Sequence, residues 1–594
     1  MNRFTIAILT DTHIRAPGGD QSSPFPVNAR ANARARHAVE VIRSEERALT
    51  VHLGDVVHPL PHMAAYADAA VEAHRILAPL APNLHLVPGN HDIGDKPHDA
   101  SPAGPVNETT RATYRDAFGR DHWLVEHDGV AFVAMNSSLV NTGTDAEAVQ
   151  RDWLERALVS RRDQRVFLFS HCPPFIASAD EAEHYDNYGE PGRSWLLGLA
   201  ADTGAEAIFS GHVHHFFFNR YRGVKLYCLP ATSFTRQDYA EMFSAPPASE
   251  FGRDDRGKLA VSFLDISEDG HRLRVVGTDG HEWNDERVAD LPDTQLGTST
   301  LIPHLRHDWA TPRVLPYNGP MEEFSRKAVR NDYPMLRLLQ LGISTIRVPA
   351  SDLLDPVQAA RLDDWISLDG QLVVFSTAPA TGELIEAVMA RAHAVVAWEI
   401  VTRNLDDASN FTAVDGITRW LGKITTSADN VDRRGAFAHS VTSGFLAHQI
   451  DEAAACATSN ALQGVVLQLG YDDDLAVLDH AADRTLGSGL DLVANVRLSR
   501  DDPSQGNFDA RWIADRMNAC QKWSGKSARF HLQLDTLEDV DRGYGPRFGL
   551  VDRLGNPRFA WERQRNSALA GLDQAANHRA LSPVRATAPP RHFA

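Results

Sequence analysis

The sequence predicts an α/β protein of two large domains, the second a (β/α)8-type barrel. Three observations carry this. The chain has 594 residues, too many for one ordinary domain. Between Phe4 and Phe209, five short, apolar, β-rich runs each stop at or just before a polar or glycine residue. From about residue 300 onward, strand-like and helix-like stretches alternate as repeated βα units do.

Taken in order, Phe4 to Leu9 follows Met1-Asn2-Arg3 directly, which leaves no room for a signal peptide, and it leads into Asp11-Thr12-His13. Val51 to Leu53 leads into Gly54-Asp55, and Leu84 to Val87 into Gly89-Asn90-His91-Asp92. Val166 to Phe169 precedes His171, and Ala207 to Phe209 precedes Gly211-His212-Val213-His214. Side chains at strand ends are held by a rigid sheet while pointing into the loop layer above it. Carboxylates, imidazoles and one amide oxygen suit Mn, Fe or Zn, and the lack of thiolates argues against a structural zinc site. Two cations held about 3.5–4 Å apart need a bridging carboxylate, a second carboxylate and several neutral imidazoles. Gly54, Gly89 and Gly211 leave room for the turns that aim these groups. Leu259 to Ile266 and Arg272 to Gly277 form a β-hairpin through Glu268-Asp269-Gly270. Gln295 to Thr300 reads as the linker, which sets the domains at 1–290 and 300–570.

The barrel strands are expected at Ser344 to Val348, Leu372 to Phe375, Val395 to Ile400, Leu421 to Thr425, Val465 to Leu469, Leu490 to Val496 and Phe530 to Leu534. Helix-like stretches such as Met321 to Leu341, Gly382 to Ala392 and Ala476 to Gly487 lie between several of them. Gly543 to Asp552, followed by Gly555-Asn556-Pro557, resembles the last barrel strand and turn of glycoside hydrolases. Residues 571–594, rich in Ala, Arg and Pro, read as a disordered tail.

With the five motifs in view, the N-terminal domain resembles the calcineurin-like metallophosphoesterase superfamily. The pattern D-x-H, G-D, G-N-H-[D/E], H, G-H-x-H is matched in order from Asp11 to His214. The resemblance implies a four-layer α/β/β/α sandwich. It implies one metal on Asp11, His13 and His214, a second on Asn90, His171 and His212, and Asp55 bridging both. His91 would be the unligated acid facing the leaving group, oriented by Asp92. A purple acid phosphatase would want D-x-G and a tyrosine where His13 and His58 stand. The Ser/Thr protein phosphatases carry G-D-x-V-D-R-G where this chain reads Val56-Val57-His58-Pro59. What remains resembles the cyclic-nucleotide and glycerophosphodiester phosphodiesterase branch, and Asn28 to Asn32 is similar to an Asn-bearing stretch there. That implies hydrolysis of a small organic phosphodiester by a metal-bridging hydroxide, with two divalent ions or an Fe/divalent pair. A phosphomonoesterase or nuclease on the same site is the alternative. Candidate substrate contacts are Asn32, Tyr188 and His215, and Pro173-Pro174-Phe175 with His184 to Tyr188 reads as a loop suited to gripping an alcohol.

Composition bounds the remaining classes. Hydrophobic residues make up 43% of the chain, ample for packed cores, yet no apolar run is long enough to span a bilayer. Four cysteines, Cys172, Cys228, Cys456 and Cys520, lack metal or redox spacing and read as reduced cytoplasmic thiols. The net charge is −19, whereas a nucleic-acid binder shows the opposite field, so long polynucleotides are disfavoured as substrates. Arg30, Arg34 and Arg36 stand where they face either a phosphate or solvent. A homo-oligomer is compatible with the sequence. In the barrel, Glu399 is placed as a glycosidase acid would be, and Asp472-Asp473-Asp474 or Asp535 could line the mouth. The strand from Leu490 carries no glutamate for a nucleophile, so the barrel reads as non-catalytic, with a carbohydrate-binding or glycosidase-like protein and a vestigial metal site as the third alternative.

Overall fold

A computed structural model describes residues 3–565 except 20–22, 99–100, 285–290, 296–298, 316–325, 378–379, 411–413, 427–441, 499–509, 541–546, 559–560 and 563–564. The expected tail and parts of the linker and of the Gly543 to Asp552 segment lie outside the described residues.

Eleven strands build the first domain: β1 (Phe4–Leu9), β2 (Thr50–His52), β3 (Leu84–Leu86), β4 (Trp123–His127), β5 (Val130–Ala134), β6 (Arg165–Phe169), β7 (Ala207–Ser210), β8 (Phe217–Tyr221), β9 (Val224–Cys228), β10 (Ala260–Ser267) and β11 (Gly270–Gly277). They form two sheets, in the orders β11-β10-β1-β2-β3 and β4-β5-β6-β7-β9-β8. Period-two alternation sorts their side chains. Ile6 and Ile8 of β1 meet Phe132, Phe167 and Phe169 in the core between the sheets. Ala7 and Leu9 face the opposite way, onto Ala35, Val39 and Ile42 of the helix Ala31–Arg43 and Tyr66 and Ala69 of Tyr66–Leu77. On the other outer face, Ala131, Val133, Val166 and Leu168 pack on Leu154, Leu158, Leu196 and Leu197 of the helices Asp145–Val159 and Gly192–Thr203. The result is a four-layer α/β/β/α sandwich. The motif-bearing strands β1, β2 and β3 run parallel, as do β6 and β7, so the loops after them emerge on one edge.

The second domain is a nearly closed parallel barrel. Its strand order is Leu301–Pro303, Phe530–Leu534, Asp491–Val496, Gly464–Leu469, Thr418–Thr425, Val395–Thr402, Gln371–Thr377 and Thr345–Pro349. Parallel bridges Ser299 to Ile343 and His304 to Arg347 bring its ends together. The seven expected strands are present, and Leu301–Pro303, too short to stand out from the linker, supplies the eighth. Of the helix expected from Met321 to Leu341, residues 321–325 lie outside the described residues; beyond them Ala328–Val329 pairs with Arg313–Val314, and a helix runs Tyr333–Gln340. Pro334 in its first turn is well placed for a helix start but not for an interior.

The domains share a continuous buried boundary. Phe217, Tyr239 and Phe243 join Tyr333, Met335 and Leu336 in one apolar cluster. Around it, Asp332 accepts the Phe218 N–H at 2.8 Å, while Arg330 and Arg361 donate to the Phe218 carbonyl at 2.8 and 3.0 Å.

Candidate metal centre

The loops after the strands are stitched to each other before any side chain is considered. The Asp11 N–H donates to the Gly54 carbonyl at 3.0 Å and the His13 N–H to that of Asp55 at 2.9 Å. Asp11, His13, Asp55, His212 and His214 all sit at left-handed φ, between 45° and 68°, a conformation few non-glycine residues adopt outside functional sites. Of the three expected turn glycines, Gly54 has a positive φ of 104°. Gly89 and Gly211 serve another purpose, close approach. A Cβ on Gly89 would lie 2.1 Å from the Asp55 nitrogen, and one on Gly211 2.0 Å from Thr10 Oγ1.

Two clusters of ligand atoms share Asp55, one of Asp11, His13, Asp55 and His214 and one of Asp55, His171 and His212, and a third group, His13, His58 and His91, lies at the rim. His13 Nε2 lies 3.5 Å from Asp55 Oδ2, and His171 Nε2 lies 3.4 Å from Asp55 Oδ1. Asn90 Oδ1 is 3.1 Å from His171 Nε2 and 3.0 Å from His212 Nδ1, so it completes the second cluster. His214 Nε2 is 3.2 Å from Asp11 Oδ1 and 3.3 Å from His13 Nε2.

These atoms suit cations for a reason internal to the structure. His171 Nδ1 faces the Leu53 carbonyl at 2.9 Å, and His214 Nδ1 faces that of Phe234 at 2.7 Å. A carbonyl only accepts, so in each neutral ring the proton belongs on Nδ1 and the Nε2 lone pair points inward. With both rings neutral, lone pairs therefore converge on carboxylate and amide oxygens, so the cluster calls for a positive charge among them: a bound cation or, without one, a proton on His171 beside Asp55. The buried Asp11 Oδ1 has no hydrogen-bond partner, as expected of an atom meant for an ion. With ions absent, burial opposes ionisation of Asp55, yet His171 and His91 hold it well below the usual carboxylate range. Burial presses His212 down to about 3, which keeps that ring a neutral ligand.

His91 stands at the rim, half-buried, its ring edge-on to His13 at 4.7 Å and stacked on His58 at 5.1 Å. Its backbone N–H donates to Asp55 Oδ1 at 2.9 Å, and its Nδ1 bonds the His58 carbonyl. That carbonyl, rather than Asp92, orients the ring. The Asp92 carboxylate is occupied elsewhere, accepting the N–H groups of Val56, Val57 and Gly89 at 3.2, 3.0 and 2.9 Å. It ties the Gly54-Asp55 loop to the Gly89-Asn90 loop and so fixes the bridge against the second cluster.

The three expected substrate contacts lie elsewhere. Asn32 clamps the Arg15 backbone, accepting its N–H and donating to its carbonyl, both at 2.8 Å. Its neighbour Asn28 reaches the rim instead, with Nδ2 3.2 Å from His58 Nε2. Tyr188 is 1% exposed and packs with Leu196 and Leu197 in the outer core. Tyr185 takes the place beside the ligands: its hydroxyl accepts from Asn90 Nδ2 at 3.1 Å and donates to Asp95 Oδ1 at 3.2 Å. Two residues separate the two tyrosines, and the polar Asp186-Asn187 pair gives no period that says which ring turns inward. His215 is fully buried and points at the domain boundary, bonded to the Tyr333 hydroxyl and the Arg236 carbonyl. Arg34 is likewise not at a phosphate site, since it is buried against Asp254 and the Ser233 carbonyl, while Arg36 pairs with Glu72 and Arg30 with Glu282. Cys172 is buried, which pushes its thiol up and away from reactivity.

In the barrel, Glu399 is buried with both oxygens engaged, one by Arg347 at 2.6 Å and the other by Ser443 at 2.5 Å. Asp535 is bound by Arg306 and Arg547. Across the ladder, Gln468, Asn495 and Gln533 pair in register, so amides occupy the positions that a facing carboxylate would need.

Residues 4–216 match the calcineurin-like phosphoesterase family. The serine/threonine-protein phosphatase CPPED1 of Homo sapiens is 28% identical over 206 residues, 33% of this chain and 62% of its own length. That of Bos taurus is 26% identical over 181 residues, 29% of this chain and 55% of its own. The match thus spans about 55–62% of these relatives. Among solved structures, the purple acid phosphatase PPD1 of yellow lupin (Lupinus luteus) aligns with a TM-score of 0.34 and 16% identity, covering 48% of this chain and 53% of its own, too slight a likeness to bear on mechanism. Among the described residues no helix is long and apolar enough to cross a membrane.

Proposed function

We propose that this chain, whose N-terminal sandwich is a calcineurin-like phosphoesterase domain, hydrolyses a small organic phosphodiester in the cytoplasm. The observation that carries the reading is the pair of inward-facing donor clusters joined by Asp55, with the half-buried His91 beside them. Asp11, His13 and His214 would hold one ion, Asn90, His171 and His212 the other, and Asp55 both. Bound there, Mn, Fe or Zn would supply Lewis acidity toward phosphoryl oxygens and a nucleophile available at neutral pH.

The chain's own residues do the rest. The Leu53 and Phe234 carbonyls hold His171 and His214 in the tautomer that offers Nε2. The Asp92 cap and the close contact of Gly89 with Asp55 keep the bridge in place. The His58 carbonyl accepts from His91 Nδ1, which fixes the ring and leaves Nε2 as the atom that would give a proton to a departing alkoxide. Tyr185 steadies Asn90 and covers the second cluster.

The diester reading draws on His13 in the first motif and on Val56-Val57-His58-Pro59 standing where Ser/Thr phosphatases place x-V-D-R. A second reading, phosphomonoester hydrolysis, is favoured by the name borne by the curated relatives. Bis-p-nitrophenyl phosphate and p-nitrophenyl phosphate, each assayed with Mn and then with chelator, separate the two. A kcat/KM for the diester at least tenfold above that for the monoester, abolished by chelator, is expected. The opposite ratio installs the monoesterase reading, and activity unaffected by chelation removes both.

A further inference from the structure

Of the two imidazoles at the second ion site, His212 is anchored differently from His171. Its Nδ1 faces Asn90 Oδ1, and its outer nitrogen, Nε2, looks onto Asp186 Oδ1 at 3.6 Å and the Tyr185 carbonyl at 3.4 Å. Asp186 is fully buried. Its carboxylate binds Arg236, accepts the Tyr239 hydroxyl at 2.7 Å, and takes Lys327 Nζ at 2.7 Å. Lys327 also reaches Asp238 at 2.5 Å, Arg236 bonds Asp238 at 2.6 Å, and the ammonium sits 4.1 Å over the Tyr239 ring. Two buried carboxylates are thereby matched by two buried cations. Three of these charges come from the sandwich, but Lys327 lies just before Ala328–Val329, on the connection that follows the barrel strand Leu301–Pro303.

We infer that Lys327 is a positioning residue for the second ion site, acting through Asp186 on His212, so that the barrel-bearing part of the chain completes a site formed otherwise by the sandwich. The inference rests on the metal-centre reading above. A ligand imidazole is held in orientation by the acceptor at its far nitrogen, and losing such an outer partner costs about 10–100-fold in metal affinity. Without Lys327, Asp186 loses one of its two buried cationic partners, and the charge balance around its carboxylate is upset. Charge and position then act in opposite directions. Removing a cation near the site would by itself tighten binding of a metal ion, whereas a displaced Asp186 frees the His212 ring and weakens it.

The test is a calorimetric titration of Mn into the metal-free, full-length protein, comparing wild type with Lys327→Met and with Asp186→Asn, which keeps the side chain's size. Wild type should take up two ions. Both variants should keep the first affinity to within about threefold and lose about 10–100-fold in the second. Unchanged or tighter second binding in a folded Lys327→Met protein overturns the inference. If that variant does not fold, Asp186→Asn decides alone, and wild-type binding of both ions by it likewise overturns the inference. A wild-type protein that takes up fewer than two ions overturns the metal-centre reading together with this one, which separates the two failures.

Discussion

Replacing Gly89 with alanine should disable the centre without replacing any ligand. The methyl group would be built 2.1 Å from the Asp55 nitrogen and 2.3 Å from its Oδ1, with the Gly54 carbonyl carbon at 2.9 Å. Non-bonded carbon does not approach other heavy atoms below about 3.0 Å, so the Asp55 backbone must retreat by about 0.9 Å, or the Asn90-bearing loop by as much. Either motion separates the bridge from Asn90. Ligand distances tolerate only about 0.2 Å, and a misplacement near 1 Å costs about 10²-fold in rate, which corresponds to about 2.7 kcal/mol of barrier. Overpacking should also cost about 1–3 kcal/mol of stability. The assay is kcat/KM for bis-p-nitrophenyl phosphate at saturating Mn, with thermal unfolding to confirm a native fold. Gly198→Ala is the control: it lies in the helix Gly192–Thr203 with nothing within 4 Å of an added Cβ, and it should gain about 1 kcal/mol of stability and keep full activity. A folded Gly89→Ala enzyme within threefold of wild type would refute the argument that this contact positions Asp55.

Four further outcomes are expected. Asp55→Asn should lose at least one ion and nearly all hydrolysis, and metal analysis finding two ions retained would remove the bridge from Asp55. His91→Ala should keep both ions yet slow diesters with alkoxide leaving groups far more than nitrophenyl ones, which depart without a proton; an equal loss on both would assign His91 another task. Although burial opposes charge on His171, Asp55 lifts its pKa to about 9 in the metal-free protein. The proton must leave before the ring can bind an ion, so affinity should rise by about tenfold per pH unit toward 9 and then level off, whereas a flat profile in calorimetric titrations would contradict it. Glu399→Gln should retain hydrolysis of a small chromogenic diester to within a few-fold, and a loss of two orders of magnitude would make the barrel a direct participant.

The sheets and the residues of the candidate ion clusters are legible in the sequence because their signals are local. An apolar run of β-formers followed at once by Asp, His or Gly identifies both a strand and the group it carries, and the five repetitions reinforce each other. The surroundings of those ligands are not legible in the same way, since they depend on pairings distant in sequence. Asp92 looks like the partner of the adjacent His91, but its carboxylate turns toward three backbone N–H groups, two of them on the loop after β2. Asn32 and Asn28 are four residues apart on one short stretch, and only the backbone path decides which one faces His58. Leu301–Pro303 is a strand because Phe530–Leu534 lies beside it, a neighbour more than two hundred residues away.

The left-handed backbone at Asp11, His13, Asp55, His212 and His214 bears on how such a site can change over generations. Aspartate and histidine are among the few non-glycine residues that enter that region with any frequency, and they also bind hard and borderline cations well. Glycine would sit there with less strain, but it has no donor atom. Valine, isoleucine and threonine are excluded by their branched Cβ before their chemistry matters. At these five positions the backbone therefore limits the alphabet almost as strongly as the ions do. Descendants of this chain that abandoned catalysis would be expected to drift there toward glycine and asparagine, leaving loops of the same shape as a visible relic of the lost centre.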